Sequence, residues 1–300
     1  MKPSITRREF IKATGSALAT TALAPAILSA ADTSIPAAGK KRSLKKAIMY
    51  GTIGYKGSVL EKFKALKEAG FDGVEPNSHM NQDEVVKAFE ETGLKAASVC
   101  CNTHWGKPLS DPDPAVREAG LNGLKQSLRD AKRYGATSVL LVPGVVKGEV
   151  TYELCWKRSI AEIRKAIPLA EELGVKIAIE NVWNNFLMKP EQAVAYLDEI
   201  NSPHVGWHFD IGNMIKFAPS EDWIRALGKR ILKLHVKEYS LAKGFGVWFF
   251  DGDNHWPAIM KALDDTAYTG WAITEQPGDQ TKDAANLKKF SELLDRVLAS

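Results

Sequence analysis

The feature that most constrains this 300-residue chain is the regular alternation of short apolar runs with amphipathic stretches. Apolar runs recur near residues 46–50, 71–75, 96–101, 137–142, 175–180, 204–210, 231–236 and 270–275. Between them lie stretches of helical spacing: Val59 to Ala69, Glu84 to Thr92, Val116 to Tyr134, Cys155 to Leu173 and Pro190 to Ile200, with Asn286 to Leu298 after the last run. Gly70, Gly93, Gly135 and Gly174 each follow such a stretch, where a residue free to adopt a left-handed backbone ends a helix. Runs that are apolar on both faces suit a parallel sheet covered on both sides. Eight βα units predict an α/β fold, a (β/α)8 barrel that is a single domain over residues 45–300. The alternative is an open doubly wound sheet. No Gly-x-Gly-x-x-Gly turn follows the first run, which argues against the dinucleotide-binding form of that sheet.

The first 30 residues read as an address rather than as part of the barrel. Thr6-Arg7-Arg8-Glu9-Phe10-Ile11-Lys12 matches the twin-arginine export pattern, an Ala/Thr/Leu stretch follows from Ala13, and small residues at Ser29-Ala30-Ala31 suit cleavage. The expectation is a signal peptide over 1–30, a linker over 31–44, the twin-arginine export machinery as a partner, and a periplasmic or otherwise exported protein. A retained membrane anchor is the alternative, but the stretch is rich in Ala and Thr and short for a span of ~20 strongly apolar residues. Lys2, Arg7, Arg8 and Lys12 against Glu9 give these 30 residues +3 of the chain's +4, leaving about +1 for the rest. No electrostatic case for nucleic acid survives that subtraction. The basic linker residues Lys40-Lys41-Arg42 read as a solvated tether. Cys100, Cys101 and Cys155 make no disulfide framework, and the Cys100-Cys101 pair reads as buried packing.

Four of the apolar runs end in a group able to bind a metal. Val175–Ile179 precedes Glu180, Val205–Phe209 precedes Asp210, Ile231–Leu234 precedes His235, and Trp271–Thr274 precedes Glu275. In a parallel barrel the C-terminal strand ends converge on one mouth, so these four groups meet. Three carboxylates and one imidazole make a hard site for one divalent ion: Mn, Mg, Co or Zn. Any one carboxylate alone reads as an ordinary strand-end surface group; the set of four makes the site.

Side chains two apart on a strand share a face. If Asp210 faces the mouth, His208 lies one layer beneath it; if His235 does, Lys237 stands near the rim. His208 reads either as a satisfied core histidine or as a site residue. Lys237 reads as binding a substrate oxygen, or as pairing with Glu238 or a site carboxylate. Glu75, at the end of the second run, reads as meeting a sugar hydroxyl, and His104, Trp105 and Trp183 as standing at the mouth, the tryptophans stacking on a ring; the alternative for each is a loop-ordering role. His255 reads as a loop residue at a helix start. The long segment Tyr239–His255, with Phe245, Trp248, Phe249 and Phe250, reads as a lid that excludes water and packs on a sugar. Its alternative is a contact surface that permits a homo-oligomer.

Glu180-Asn181, Phe209-Asp210-Ile211-Gly212-Asn213, Leu234-His235-Val236-Lys237-Glu238, Gly252-Asp253-x-x-Trp256-Pro257 and Glu275 together resemble the xylose-isomerase-like sugar isomerase/epimerase superfamily. That group includes hydroxypyruvate isomerases, ketose 3-epimerases and inosose dehydratases. The resemblance implies that Glu180, Asp210, His235 and Glu275 hold one divalent metal and that Glu180 and Glu275 double as acid and base on a small sugar substrate. A bound metal would polarise a carbonyl and stabilise an enediolate. Two glutamates on opposite faces of the adjacent carbon would then invert it, or move the proton along to isomerise the sugar.

The chain also departs from the epimerase pattern. Asn213 stands where those enzymes commonly place a histidine, and Tyr239-Ser240-Leu241 where they place a substrate-binding arginine. No glycine-rich phosphate turn follows the last two strands, which favours a free sugar or keto-sugar. The alternatives are a keto-sugar lyase or dehydratase using the same metal and bases, and a non-catalytic sugar-binding barrel. A DNA-repair endonuclease of the same superfamily needs more histidines than the six present and a basic face.

Overall fold

The computed structural model describes residues 42–300; the expected signal peptide and most of the expected linker lie outside the described residues. Nine parallel strands form one sheet: β1 (Lys45–Met49), β2 (Gly73–Glu75), β3 (Lys95–Ala96), β4 (Val99–Cys100), β5 (Ser138–Leu141), β6 (Lys176–Glu180), β7 (Val205–Asp210), β8 (Ile231–Val236) and β9 (Trp271–Thr274). Their order is β3-β2-β1-β9-β8-β7-β6-β5-β4. β3 and β4 are two pieces of the single expected third strand, broken at Ala97-Ser98. β3 pairs with β2 and β4 with β5, so the two ends of the order meet and the sheet is a nearly closed barrel. A parallel bridge from Asn77 to Cys100 carries the link across the break. The expected eight strands are therefore present, one of them split.

The helices start and stop where local chemistry dictates. Ser58 opens α1 (Val59–Glu68) with a reciprocal capping box to Glu61. Asn81, Asp113 and Thr151 accept backbone N–H groups at the starts of α2 (Gln82–Thr92), α3 (Pro114–Tyr134) and α4 (Tyr152–Leu173). Gly93, Gly135 and Gly174 end these three helices in the left-handed conformation. α5 (Pro190–Ile200) begins on its proline, and α9 (Ala284–Ala299) is capped by Asp283. Two helices between β7 and β8 were not expected: α6 (Ile211–Met214) and α7 (Ser220–Leu227). α8 (Trp256–Asp265) follows His255, which occupies its N-cap position.

The main apolar core lies between the sheet and the helices, with Phe63, Tyr196, Trp207, Trp223 and Phe290 fully buried in it. A second small cluster of Ala47, Ala97 and Ile273 fills the space inside the barrel. Arg42 is not a free tether: its guanidinium donates to both carboxylate oxygens of Asp264 and to the Leu298 carbonyl. Among the described residues no helix is long and apolar enough to cross a membrane.

Candidate metal centre and active site

Glu180 and Asp210 are the last residues of β6 and β7, His235 is the penultimate residue of β8, and Glu275 follows β9 directly. A register shift between β7 and β8 sets this layer: Trp207 faces Ile231, but His208 faces Lys233 and Asp210 faces His235. The extra residue in β8 brings the imidazole level with the aspartate. The result is one ligand atom from each of the four groups, all within 4.8 Å of one another. Atoms bound ~2.1 Å from a common ion stand ~3–4.2 Å apart, so the cluster is nearly at coordination spacing. His235 Nδ1 lies 2.9 Å from Glu180 Oε1, 3.5 Å from Glu275 Oε2 and 3.8 Å from Asp210 Oδ2. Lys237 Nζ stands 2.8 Å from Asp210 Oδ2 and 2.5 Å from Glu275 Oε2.

Burial and crowding of like charge perturb every member of this cluster. Burial pushes the Glu180 carboxyl up to about 7 against the pull of His235. It pushes Asp210 up to about 6 against the pull of the Lys237 ammonium. Burial would raise Glu275 too, but Lys237 and His235 outweigh it and hold that carboxyl well below its usual range. Burial opposes charge on His235, yet Glu75 and Glu275 together with the hydrogen bond to Glu180 hold it well above the ordinary imidazole value. Asp210 Oδ2, though near the ammonium, makes no aligned hydrogen bond and is fully buried. A buried, acid-rich cluster with an unsatisfied carboxylate oxygen fits a divalent cation, and Glu180, Asp210, His235 and Glu275 would hold it.

A cavity of about 290 Å³ opens above the four groups. Of the expected mouth residues, His104, Trp105, Trp183, Asn213 and Lys237 line it, together with Phe245 and Cys100. The Val142 N–H donates to His104 Nδ1 at 3.2 Å, and burial lowers this histidine to about 4. His104 is therefore neutral with its proton on Nε2. Trp183 is anchored by donating to the Asn213 carbonyl at 2.6 Å, and Tyr239 and Phe245 pack against its ring. Trp105 is 55% exposed on its own part of the rim.

One expected position differs. Glu75 does not reach the mouth: it is fully buried below it, with Oε2 2.8 Å from His235 Nε2. His208 lies beneath the four-group cluster, as strand alternation places it, its ring 4.2 Å from that of His235. The long loop also differs from a simple lid. Only Phe245 faces the cavity; Trp248 and Phe249 pack on Phe290 of α9, and Phe250 lies under the Arg296 guanidinium.

Two residues with no assigned role prove central. Asn181 locks the ends of β6 and β7 together: Oδ1 accepts from the Asp210 N–H and Trp207 Nε1, and Nδ2 donates to the Asp210 carbonyl. Glu238, fully buried, gathers the loop by accepting from the N–H groups of Tyr239, Phe250 and Asn254 and from Trp256 Nε1. Gly252 passes so close that a Cβ there would meet the Tyr239 carbonyl oxygen at 2.5 Å. The Gly252-Asp253-x-x-Trp256 motif is thus the loop's fit around Glu238. Its adjacency to His235-Val236-Lys237 was the available signal.

A family model described as xylose isomerase-like TIM barrel matches residues 63–297, and the chain belongs to that family. L-ribulose-5-phosphate 3-epimerase UlaE of Escherichia coli (strain K12) is 23% identical over 240 residues, covering 75% of this chain and 84% of the relative. Among solved structures, the 3-keto-D-glucoside 4-epimerase YcjR of E. coli superposes with a TM-score of 0.74 at 19% identity, covering 85% of this chain and 98% of that one. A D-psicose 3-epimerase, solved in the presence of D-fructose, superposes with a TM-score of 0.73 at 21% identity over 86% and 100%. All three relatives are sugar epimerases, and none of them is named for lyase chemistry.

Proposed function

We propose that this chain is a divalent-metal-dependent epimerase of a free sugar or keto-sugar, with Glu180 and Glu275 as its acid and base. The observation that carries the reading is the four-group cluster at the floor of the barrel mouth. A divalent ion bound there would supply Lewis acidity toward a substrate carbonyl. Glu180 and Glu275 come from β6 and β9 with two strands between them, so they approach a carbon held over the cluster from different sides. Without an ion, their environments push the two carboxyls apart, Glu180 upward and Glu275 downward, as an acid/base pair requires. His104 offers a neutral N–H donor to the substrate, and the wall of Trp183 and Phe245 shields one side from water.

The cavity lining favours an unphosphorylated substrate. Lys237 is the single lysine among the lining residues, which include no arginine, and its ammonium is already held by two carboxylates. The test is solvent deuterium incorporation and epimer formation across free ketoses, 3-keto-glycosides and ketose 5-phosphates, with and without chelator. Exchange into a free sugar or keto-sugar, abolished by chelation and lowered about 10²–10⁴-fold by Glu180→Gln or Glu275→Gln, is expected. Exchange that survives both glutamine variants would sink the assignment.

We also propose that the protein is exported, on the strength of the Thr6–Lys12 pattern. Arg7→Lys with Arg8→Lys should retain the protein in the cytoplasmic fraction; unchanged fractionation would remove the twin-arginine route.

A further inference from the structure

Beneath the ligand cluster lies a buried polar group that the proposed chemistry does not use. Glu75 ends β2, which is separated from β8 in the sheet by β1 and β9, yet its carboxylate reaches His235 through the barrel interior. It is fully buried and does not line the cavity. Oε2 sits 2.8 Å from His235 Nε2, and Oε1 has no hydrogen-bond partner, with His208 Nδ1 standing 3.8 Å away. Burying a carboxylate is costly unless it is paired, and a glutamine or a methionine would fill the same volume at less cost. Filling space does not account for an acid here.

We infer that Glu75 is a positioning residue that decides which nitrogen of His235 is free to bind the metal, an inference that rests on the metal site proposed above. A neutral imidazole carries one N–H. Two carboxylates compete for it, Glu180 at Nδ1 and Glu75 at Nε2, at nearly equal distances of 2.9 and 2.8 Å. When the proton sits on Nε2 and is donated to Glu75, the Nδ1 lone pair points into the space shared with Glu180, Asp210 and Glu275. Without Glu75, the proton moves to Nδ1 and is donated to Glu180, and one hydrogen bond then ties up two of the four ligands. The carboxylate also makes the imidazole a stronger donor to the metal.

The experiment uses the full chain stripped with chelator and titrated with Mn²⁺ and Co²⁺ by calorimetry, with the visible spectrum of the Co²⁺ form as a second readout. Glu75→Gln preserves shape and removes charge; Glu75→Asp preserves charge and shortens the reach. The positioning role predicts that Glu75→Gln weakens binding 10–100-fold and alters the Co²⁺ spectrum, and that Glu75→Asp binds more tightly than the glutamine variant. A packing role predicts the reverse order. If wild type binds one ion and Glu75→Gln binds within twofold of it with the same spectrum, the inference is wrong and the metal site stands. If wild type binds no divalent ion, the metal site itself is wrong and the inference falls with it. Thermal unfolding of each metal-free variant identifies a loss that is merely misfolding; the variant that stays folded is then compared with wild type alone, Glu75→Gln weakened 10–100-fold or Glu75→Asp bound nearly as tightly as wild type supporting the inference, and the opposite result overturning it.

Discussion

At the residue scale the site is governed by burial working against a small supply of positive charge. Burial pushes Glu180 and Asp210 up, while the Lys237 ammonium and the His235 imidazole together hold Glu275 down. A divalent ion entering this cluster must displace protons from Glu180 and from the imidazolium of His235. Both groups bind protons more tightly than their ordinary values allow, so protons compete better as pH falls. Affinity should therefore rise with pH across about 6 to 8, and calorimetry in buffers of different ionisation enthalpy should register proton release. A flat profile would contradict the assignment of these groups as ligands. The four-group cluster was legible in the sequence because strand ends converge in any parallel barrel. The depth of Glu75 was not, because strands in a barrel are tilted and staggered, and the end of a short strand such as β2 need not lie level with the others.

At the element scale the segment between β8 and α8 joins a wall of the cavity to an anchor on α9. Its sequence reads as an aromatic lid, but its aromatic residues divide between two tasks: Phe245 faces the cavity, while Trp248, Phe249 and Phe250 hold the loop to α9. Glu238 is the pin, with Gln276 and Gln280 both donating to the Val247 carbonyl from the other side. Gly252→Ala should cost ~1–3 kcal/mol, since a methyl group there has backbone and Glu238 on both sides. Glu238→Gln should leave donors around Trp256 poorly satisfied and cost ~1–3 kcal/mol, seen as a lower unfolding midpoint and faster proteolysis within 239–255. Resistance equal to wild type would show that the loop is held by its aromatic contacts alone. Strands and long helices were legible from periodicity and glycine stops. α6 and α7, with four and eight residues, were too short for a period to register, and nothing in an apolar run announces the break between β3 and β4.

At the scale of the whole molecule, the family match and the barrel account for the arrangement of the mouth, and the chain's own side chains account for what can enter it. The broken third strand has a consequence for how this barrel moves. Regular ladder pairing passes from one neighbour to the other within six residues, and the break is crossed by isolated backbone bonds from Ala97 and Cys100 to the Val74 and Pro76 carbonyls and by side chains: Ser98 Oγ donates to the Ser138 carbonyl, and Ser138 Oγ donates to Ser98 Oγ at 3.3 Å. A ring regularly laddered all round except at one clasp breathes at the clasp. Amide deuterium exchange should run fastest, among the barrel strands, in a peptide spanning 95–101 and slowest in β6 to β8, where pairing is unbroken on both sides. Cys100 lies at that clasp and also lines the cavity with Glu180 and Glu275, so the same opening that exchanges its amide would loosen the wall of the mouth.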